Sequence, residues 1–227
     1  MYFSRVSIDA KSADPEDLVA LLKGDVYNVH QIIWRLFPED QEAKRDFLFR
    51  REVANGWPFF YLVSERKPQP LSGLVRVESK TYQPKLHNGQ QLAFSLRINP
   101  VITKKAADGK KRYRHDIVMN AKHSLKASSI SQMDCSAGEL QHTVGIKWLG
   151  ERAEKLGFGF DPENVRIYGY QQHRFTSKKQ KDKIQFSVLD YNGLLMVTES
   201  DRFYRTLMKG IGRAKAFGCG LMLVRRV

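Results

Sequence analysis

Leu92, Phe94, Leu96 and Ile98 alternate without a break with Ala93, Ser95 and Arg97. A period of two sets these groups on opposite faces of a half-buried β-strand. Helical signals follow it. Ser136-Ala-Gly-Glu139 spells a capping box, and a helix is expected from there to Gly157. Strands are expected at 164–175, 183–190 and 194–198, the last two joined by a turn at Tyr191-Asn192-Gly193. A short helix at 201–209 and a strand at 219–226 close the chain.

The preceding residues carry a similar alternation of elements. Residues 2–8 mix apolar and β-branched types and read as a strand. Asp14-Pro15-Glu16-Asp17 supplies an N-cap, a first-turn proline and acidic residues for a helix start. Gly24-Asp25 breaks that helix, and a second stretch over 26–37 stops at Pro38. Phe59–Val63 and Leu74–Glu78 read as strands, and the pattern restarts around 85–90. The expected fold is α+β, with two ferredoxin-like (RRM-like) domains in tandem over 1–88 and 89–227. No internal sequence repeat accompanies it.

Apolar residues make up 42% of the 227 and charged residues 27%, which excludes a disordered, collagenous or coiled-coil chain. No apolar run has the length of a membrane span, and Asp9 interrupts the opening before a signal-like core develops. Cys135 and Cys219 lie far apart with no Cys-x-x-Cys, so neither a disulfide scaffold nor a zinc knuckle is available. A soluble, cytoplasmic protein is expected.

The net charge is +14, and it is unevenly placed. Residues 1–88 hold 13 Lys/Arg against 12 Asp/Glu, whereas residues 89–227 hold 25 against 12. A basic field on one side of a protein concentrates polyanions, and phosphate backbones gain from releasing condensed counterions. A basic surface that only aids solubility or meets an acidic protein is the plainer alternative.

Three features could carry chemistry. Taken as a helix, 26–37 places Val26, Val29, Ile33, Leu36 and Phe37 on a core stripe, with Tyr27, His30 and Trp34 on its flank. Tyr27 and His30 are three apart and therefore neighbours. They either face a common substrate or form a packed boundary. Next, Gly210-Ile-Gly212-Arg-Ala-Lys-Ala-Phe-Gly218-Cys-Gly220 holds two Gly-x-Gly pairs, which let backbone approach a ligand closely, and Arg213 and Lys215 add charge. It lacks the P-loop Gly-Lys-Ser/Thr and the dinucleotide fingerprint, and a tight structural connector would read the same way. Finally, Lys104, Lys105, Lys110, Lys111, Arg112 and Arg114 surround an Asp108-Gly109 turn, while Arg174, Lys178, Lys179, Lys181 and Lys183 surround a second hairpin tip. Such runs are solvated by default, yet a basic hairpin could follow the phosphates of structured RNA. No RRM octapeptide supports a sheet platform for single strands. His142 lies in register with Ile146, Leu149, Ala153 and Leu156, which suits a core role. His115-Asp116 lacks the further ligands of a metal dyad.

The chain resembles the CRISPR repeat-processing endoribonucleases of the CasE type. The matching segments are Met-Tyr-Phe-Ser-Arg-Val at the start and Tyr27-Asn-Val-His30-Gln-Ile-Ile-Trp34-Arg-Leu-Phe37-Pro38. They continue with Arg45-Asp46-Phe47-Leu48-Phe49, Phe94-Ser-Leu-Arg97-Ile-Asn99-Pro100 and the glycine loop ending Gly218-Cys219-Gly220-Leu221, in family order. The resemblance implies tandem ferredoxin-like domains and cleavage of precursor CRISPR RNA at the base of the repeat stem-loop, with neither metal nor cofactor. The ribose 2′-hydroxyl would attack the adjacent phosphate, leaving a 5′-hydroxyl fragment and a cyclic phosphate or its hydrolysis product. The enzyme would stay on its product and join the other subunits of the interference complex.

By the same resemblance, His30 matches the catalytic histidine and Tyr27 the active-site tyrosine. A histidine with its ordinary pKa near ~6.5 can take either proton-transfer role. Tyr27, ordinarily near about 10, is assigned to orientation or hydrogen bonding. A family lysine falls close to Arg35, which in a regular helix points away from His30, and a glycine-loop cation would serve as well. The loop itself, with Gly210, Gly212, Gly218 and Gly220, would hold RNA backbone, and the 174–183 hairpin would grip the stem. The alternatives are an RNA-binding scaffold subunit of the same superfamily without cleavage, which only the Tyr27/His30 pair separates from the enzyme, and a basic protein-binding module.

Overall fold

A computed structural model describes residues 1–9, 15–23, 26–38, 44–71, 73–105, 110–127, 136–176 and 183–227. Strand β1 (Tyr2–Ile8) is followed by helices α1 (Pro15–Lys23) and α2 (Val26–Arg35). Strands β2 (Phe47–Ala54), β3 (Trp57–Ser64) and β4 (Val75–Thr81) then complete an antiparallel sheet in the order β2-β3-β1-β4. This is a ferredoxin-like sheet with β1 and β3 at its centre. No helix lies between β3 and β4 among the described residues. One face is covered by α1 and α2, where Leu21, Val29, Ile32 and Ile33 bury against Val6, Phe60 and Leu62. Asp14, Gly24 and Asp25, read above as cap and break, lie outside the described residues.

The second sheet is built from β5 (Gln91–Ile98), β8 (Phe158–Gly159), β9 (Val165–Thr176), β10 (Lys183–Val197) and β11 (Met222–Arg226). Its order is β11-β5-β10-β8, with β9 also paired to β10. Helices α4 (Ala137–Leu156) and α5 (Ser200–Lys209) supply the two crossovers of a complete βαββαβ sandwich. The hairpin of β6 (Val101–Lys105) and β7 (Arg112–Asp116) and helix α3 (Ile117–Ala127) are inserted after β5. The architecture is thus α+β with two ferredoxin-like sheets.

The alternation that defined β5 is realised, with Leu92, Phe94, Leu96 and Ile98 all buried against Trp148, Leu149, Phe203 and Leu207. The capping box also forms. Glu139 N–H donates to Ser136 Oγ at 3.2 Å, and Ser136 N–H donates to Glu139 Oε2 at 2.7 Å. His142 bonds the Val165 carbonyl oxygen at 3.0 Å, tying α4 to β9. Asp116 caps α3 by accepting from Met119 N–H at 2.8 Å, and it also bonds Tyr170 and Ser187. His115 is exposed on β7, so that pair is structural.

One expectation is overturned. Tyr191-Asn192-Gly193 is no turn but the middle of β10, which runs unbroken from Lys183 to Val197. Tyr191 is fully buried, and its hydroxyl donates to the Gly145 carbonyl oxygen at 3.2 Å. Asn192 and Gly193 are paired on both edges, to Ser95 and Phe94 on β5 and to Arg166 and Val165 on β9. The two sheets meet along a seam of Leu48, Val63 and Leu221. No helix among the described residues is long and apolar enough to cross a membrane.

Candidate active site

Helix α2 buries Val29, Ile32 and Ile33 in the first core and turns Tyr27, His30 and Trp34 to the seam. Trp34 Nε1–H donates to His30 Nε2 at 3.1 Å, with the two rings edge-on at 6.2 Å. Trp34 is itself wedged against Phe47 at 5.1 Å. Because Nε2 accepts, the neutral ring carries its proton on Nδ1. Nδ1 is buried with no partner at full hydrogen-bond geometry among the described residues. The His30 pKa is lowered to about 4, chiefly by burial and then by the Arg45 charge, with the nearby Ala216 backbone offsetting part of this. The resting imidazole is therefore neutral at neutral pH.

The remaining walls come from the second half of the chain. Phe217, in the one-turn helix Lys215–Phe217, lies 5.9 Å from His30. It also packs on Phe175 at 5.3 Å and stacks on Phe186 at 5.2 Å. Tyr27 closes this aromatic bridge with its ring 6.3 Å from Phe175. The helix bearing the Tyr/His pair is thus bonded by shape to the glycine loop and to the β9–β10 hairpin. Neither half alone encloses His30.

The glycine loop is folded on itself. Gly220 N–H donates to the Arg97 carbonyl oxygen at 2.7 Å, and Ile211 N–H donates to the Gly220 carbonyl oxygen at 2.9 Å. Gly220 has φ 89°, and a Cβ there would meet the Ile211 carbonyl oxygen at 2.6 Å. Its compactness holds Phe217 beside His30, as a tight structural connector would. Lys215 is half-buried, and its Nζ donates to the Lys209 carbonyl oxygen at 2.7 Å. Burial and then the Arg45 charge lower its pKa.

Arg45 is the residue that sequence reasoning missed as a site group. It lies half-buried in the irregular run before β2, near enough to both His30 and Lys215 to act on their charges. Arg35, by contrast, points away from His30 and pairs with Asp17 at 2.5 Å. Arg213 and Arg174 line an open cavity of about 560 Å³ together with Arg114 of β7. Lys183 is exposed at the start of β10, while Lys178, Lys179 and Lys181 lie outside the described residues. A smaller cavity of about 200 Å³ behind Phe217 is lined by Lys23, Arg51, Arg97 and His173. Arg97 is held there by a bidentate pair with Asp190, both bonds 2.8 Å. Cys219 is a buried free thiol whose pKa burial pushes up to about 12, which removes it as a nucleophile. Among the described residues no three His, Cys, Asp or Glu side chains gather as a metal site would require.

Known proteins are similar to this chain over most of its length. The subunit CasE of the CRISPR system Cascade from Escherichia coli (strain K12) is 30% identical over 200 residues, covering 87% of this chain and 90% of its own. The CRISPR-associated endoribonuclease Cse3 of Thermus thermophilus is 27% identical over 213 residues, covering 87% and 89%. A solved structure of CRISPR endoribonuclease Cse3 bound to 19 nt RNA superposes with a TM-score of 0.70 at 23% identity over 99% of this chain and all of that one, a likeness of fold. The sequence profile of the family described as CRISPR associated protein matches residues 1–226, and the chain belongs to that family.

Proposed function

We propose that this chain is a metal-independent endoribonuclease that cuts precursor CRISPR RNA at the base of the repeat stem-loop and stays on the product as a subunit of the interference complex. The observation that carries the reading is His30, neutral and enclosed at the seam, with the half-buried cation Arg45 near enough to act on its charge and Lys215 of the adjoining loop near Arg45 in turn. CasE is named as a Cascade subunit and Cse3 as an endoribonuclease, and both relatives support it. Residues 1–88 would then supply the proton-transfer helix and residues 89–227 the RNA grip. A cytoplasmic site of action suits a chain without a membrane-spanning helix among its described residues.

The chemistry follows from the groups present. The 2′-oxygen attacks phosphorus, its proton passes to His30 Nε2, and the bond from phosphorus to the 5′ oxygen breaks as that oxygen takes a proton from solvent, the His30 proton being returned to solvent afterwards. The products are a cyclic phosphate and a 5′-hydroxyl. In the resting protein Nε2 is engaged by Trp34, so the substrate must displace that donor. A phosphate placed beside His30 opposes the Arg45 charge and raises the imidazole pKa toward neutrality, where general-base catalysis is most effective. Arg45 and Lys215 stabilise the extra negative charge of the phosphorane. Tyr27 orients the ribose. Arg174, Lys183 and Arg213, with Lys178, Lys179 and Lys181 of the sequence between Arg174 and Lys183, take stem phosphates.

The test is cleavage of a cognate repeat stem-loop in EDTA, wild type against His30→Ala. A single cut at the stem base is expected, falling about 100- to 10,000-fold in the variant while binding persists. Tight binding without a cut by either protein would instead make the chain a scaffold subunit. Normal cutting by His30→Ala would refute the assigned active site.

A further inference from the structure

The first sheet has a second face, which α1 and α2 do not cover; at its Leu48–Val63 end it meets the second half of the chain, and there Phe3 and Tyr61 pack against the Leu48, Val63 and Leu221 cluster. Directly opposed residues of an antiparallel pair share a face, and the registers Arg5↔Tyr61 and Ser7↔Phe59 on β1–β3 and Phe3↔Lys80 on β1–β4 place these side chains together. Trp57, Phe59 and Tyr61 are alternate residues of β3 and therefore form one row. Their even-numbered neighbours Phe60 and Leu62 point into the helix-covered core. The rings touch in sequence, Phe59 to Tyr61 at 5.2 Å and Tyr61 to Phe3 at 5.5 Å. Trp57 at the open end of the row is 49% exposed.

Cations stand over these rings. The Arg5 guanidinium lies 5.1 Å from the Phe59 centroid and the Lys80 ammonium 5.8 Å from that of Phe3. Both side chains are exposed and long enough to swing from ring to phosphate. Beside them on the same face, Glu52 pairs with Arg50 and Glu78 sits next to Arg5. At the seam end the row borders a cleft of about 260 Å³, lined by Phe3, Tyr61, Lys80 and Tyr82 with Leu223 and Val224 of β11.

We infer that this face binds single-stranded RNA, its bases stacking on the Trp57, Phe59, Tyr61 and Phe3 row and its phosphates meeting Arg5 and Lys80. Aromatic side chains two apart on the third strand with one more on the first are the arrangement by which ferredoxin-like sheets stack unpaired bases. The octapeptide that usually announces it is absent because Pro58 and Phe60 stand where its small residues would be. Those two side chains are buried, so the outward row survives the substitution. A purely apolar partner would be ill served by cations parked on the ring faces. A polyanion with flat bases uses both. This site lies on the opposite side of the sheet from His30 and does not rest on the cleavage reading.

The test is fluorescence anisotropy with a short labelled oligouridylate that cannot form a stem, using the full chain. Wild type is expected to bind, and Phe59→Leu, Tyr61→Leu and Arg5→Glu each to weaken binding, the first two by about 5- to 100-fold. Leucine keeps bulk but cannot stack, and thermal melting checks that each variant folds. A photocrosslinkable oligouridylate should label peptides of β1 and β3. The inference is overturned if wild type does not bind, or if the leucine variants bind as well as wild type. Crosslinks confined to residues 174–183, or full competition by a blunt stem-loop, would place the strand on the basic face instead. If the variants lose only a protein partner, the surface is a protein-docking face.

Discussion

Trp34 Nε1–H occupies the one lone pair that His30 could offer to a 2′-hydroxyl. A donor on Nε2 stabilises the neutral ring and so helps keep its pKa low, in the same direction as burial. Removing it should raise the value. For Trp34→Phe the loss of a hydrogen bond worth about 1 kcal/mol corresponds to roughly 0.7 pH unit at 1.36 kcal/mol per unit. The His30 titration, followed by the NMR shift of its ring protons, should move up from about 4 by that amount, and an unchanged midpoint would show that Trp34 only packs. The Tyr27–His30–Trp34 cluster was legible in the sequence because helical spacing alone makes those side chains neighbours. Arg45 was not. It stands in an irregular run with no period, and only the docking of β2 beside β3 carries it to α2.

At the scale of elements, the contrast between two Asn-Gly pairs is instructive. Asn55 and Gly56 both have positive φ, at 52° and 79°, and turn β2 into β3, whereas Asn192-Gly193 is held inside β10 by partners on both sides. The dipeptide permits a hairpin, and available strand edges decide whether one forms. Strand β2 escaped the reading because Phe47, Leu48, Phe49 and Arg50 are all buried. Phe47 and Phe49 enter the first core while Leu48 faces the seam, so no alternation marks it. The β5 alternation and the α4 caps were legible because each depends only on neighbours in sequence. The glycine loop offers a test of how tightly it is built. Gly220→Ala should cost about 1–3 kcal/mol or more in urea unfolding, since it adds a clash with the Ile211 carbonyl to a positive φ. Gly212→Ala has the same sign of φ but nothing nearer than 3.8 Å, and it should cost less. Equal losses would mean that the close packing adds nothing.

Across the whole molecule, charge and shape divide the work. The +14 net charge resides almost entirely in residues 89–227, and Arg114, Arg174 and Arg213 converge on one cavity there. If each neutralises one phosphate, each alanine variant should lower the slope of log affinity against log salt by about 1 for stem-loop RNA. Filter binding over a salt series reads this directly, and a slope unchanged in all three would move the stem elsewhere. The seam that brings the halves together is of another kind. It is made of Leu48, Val63 and Leu221 and of the Tyr27–Phe175–Phe217–His30 ring chain, whose contacts span 5.3 to 6.3 Å at steep tilts. Such contacts are each individually weak, and their number is what holds the halves together. The candidate reaction centre is thus shared between the two halves, and an RNA held on both sides of the joint would stabilise their docking by the same free energy with which that docking favours the RNA.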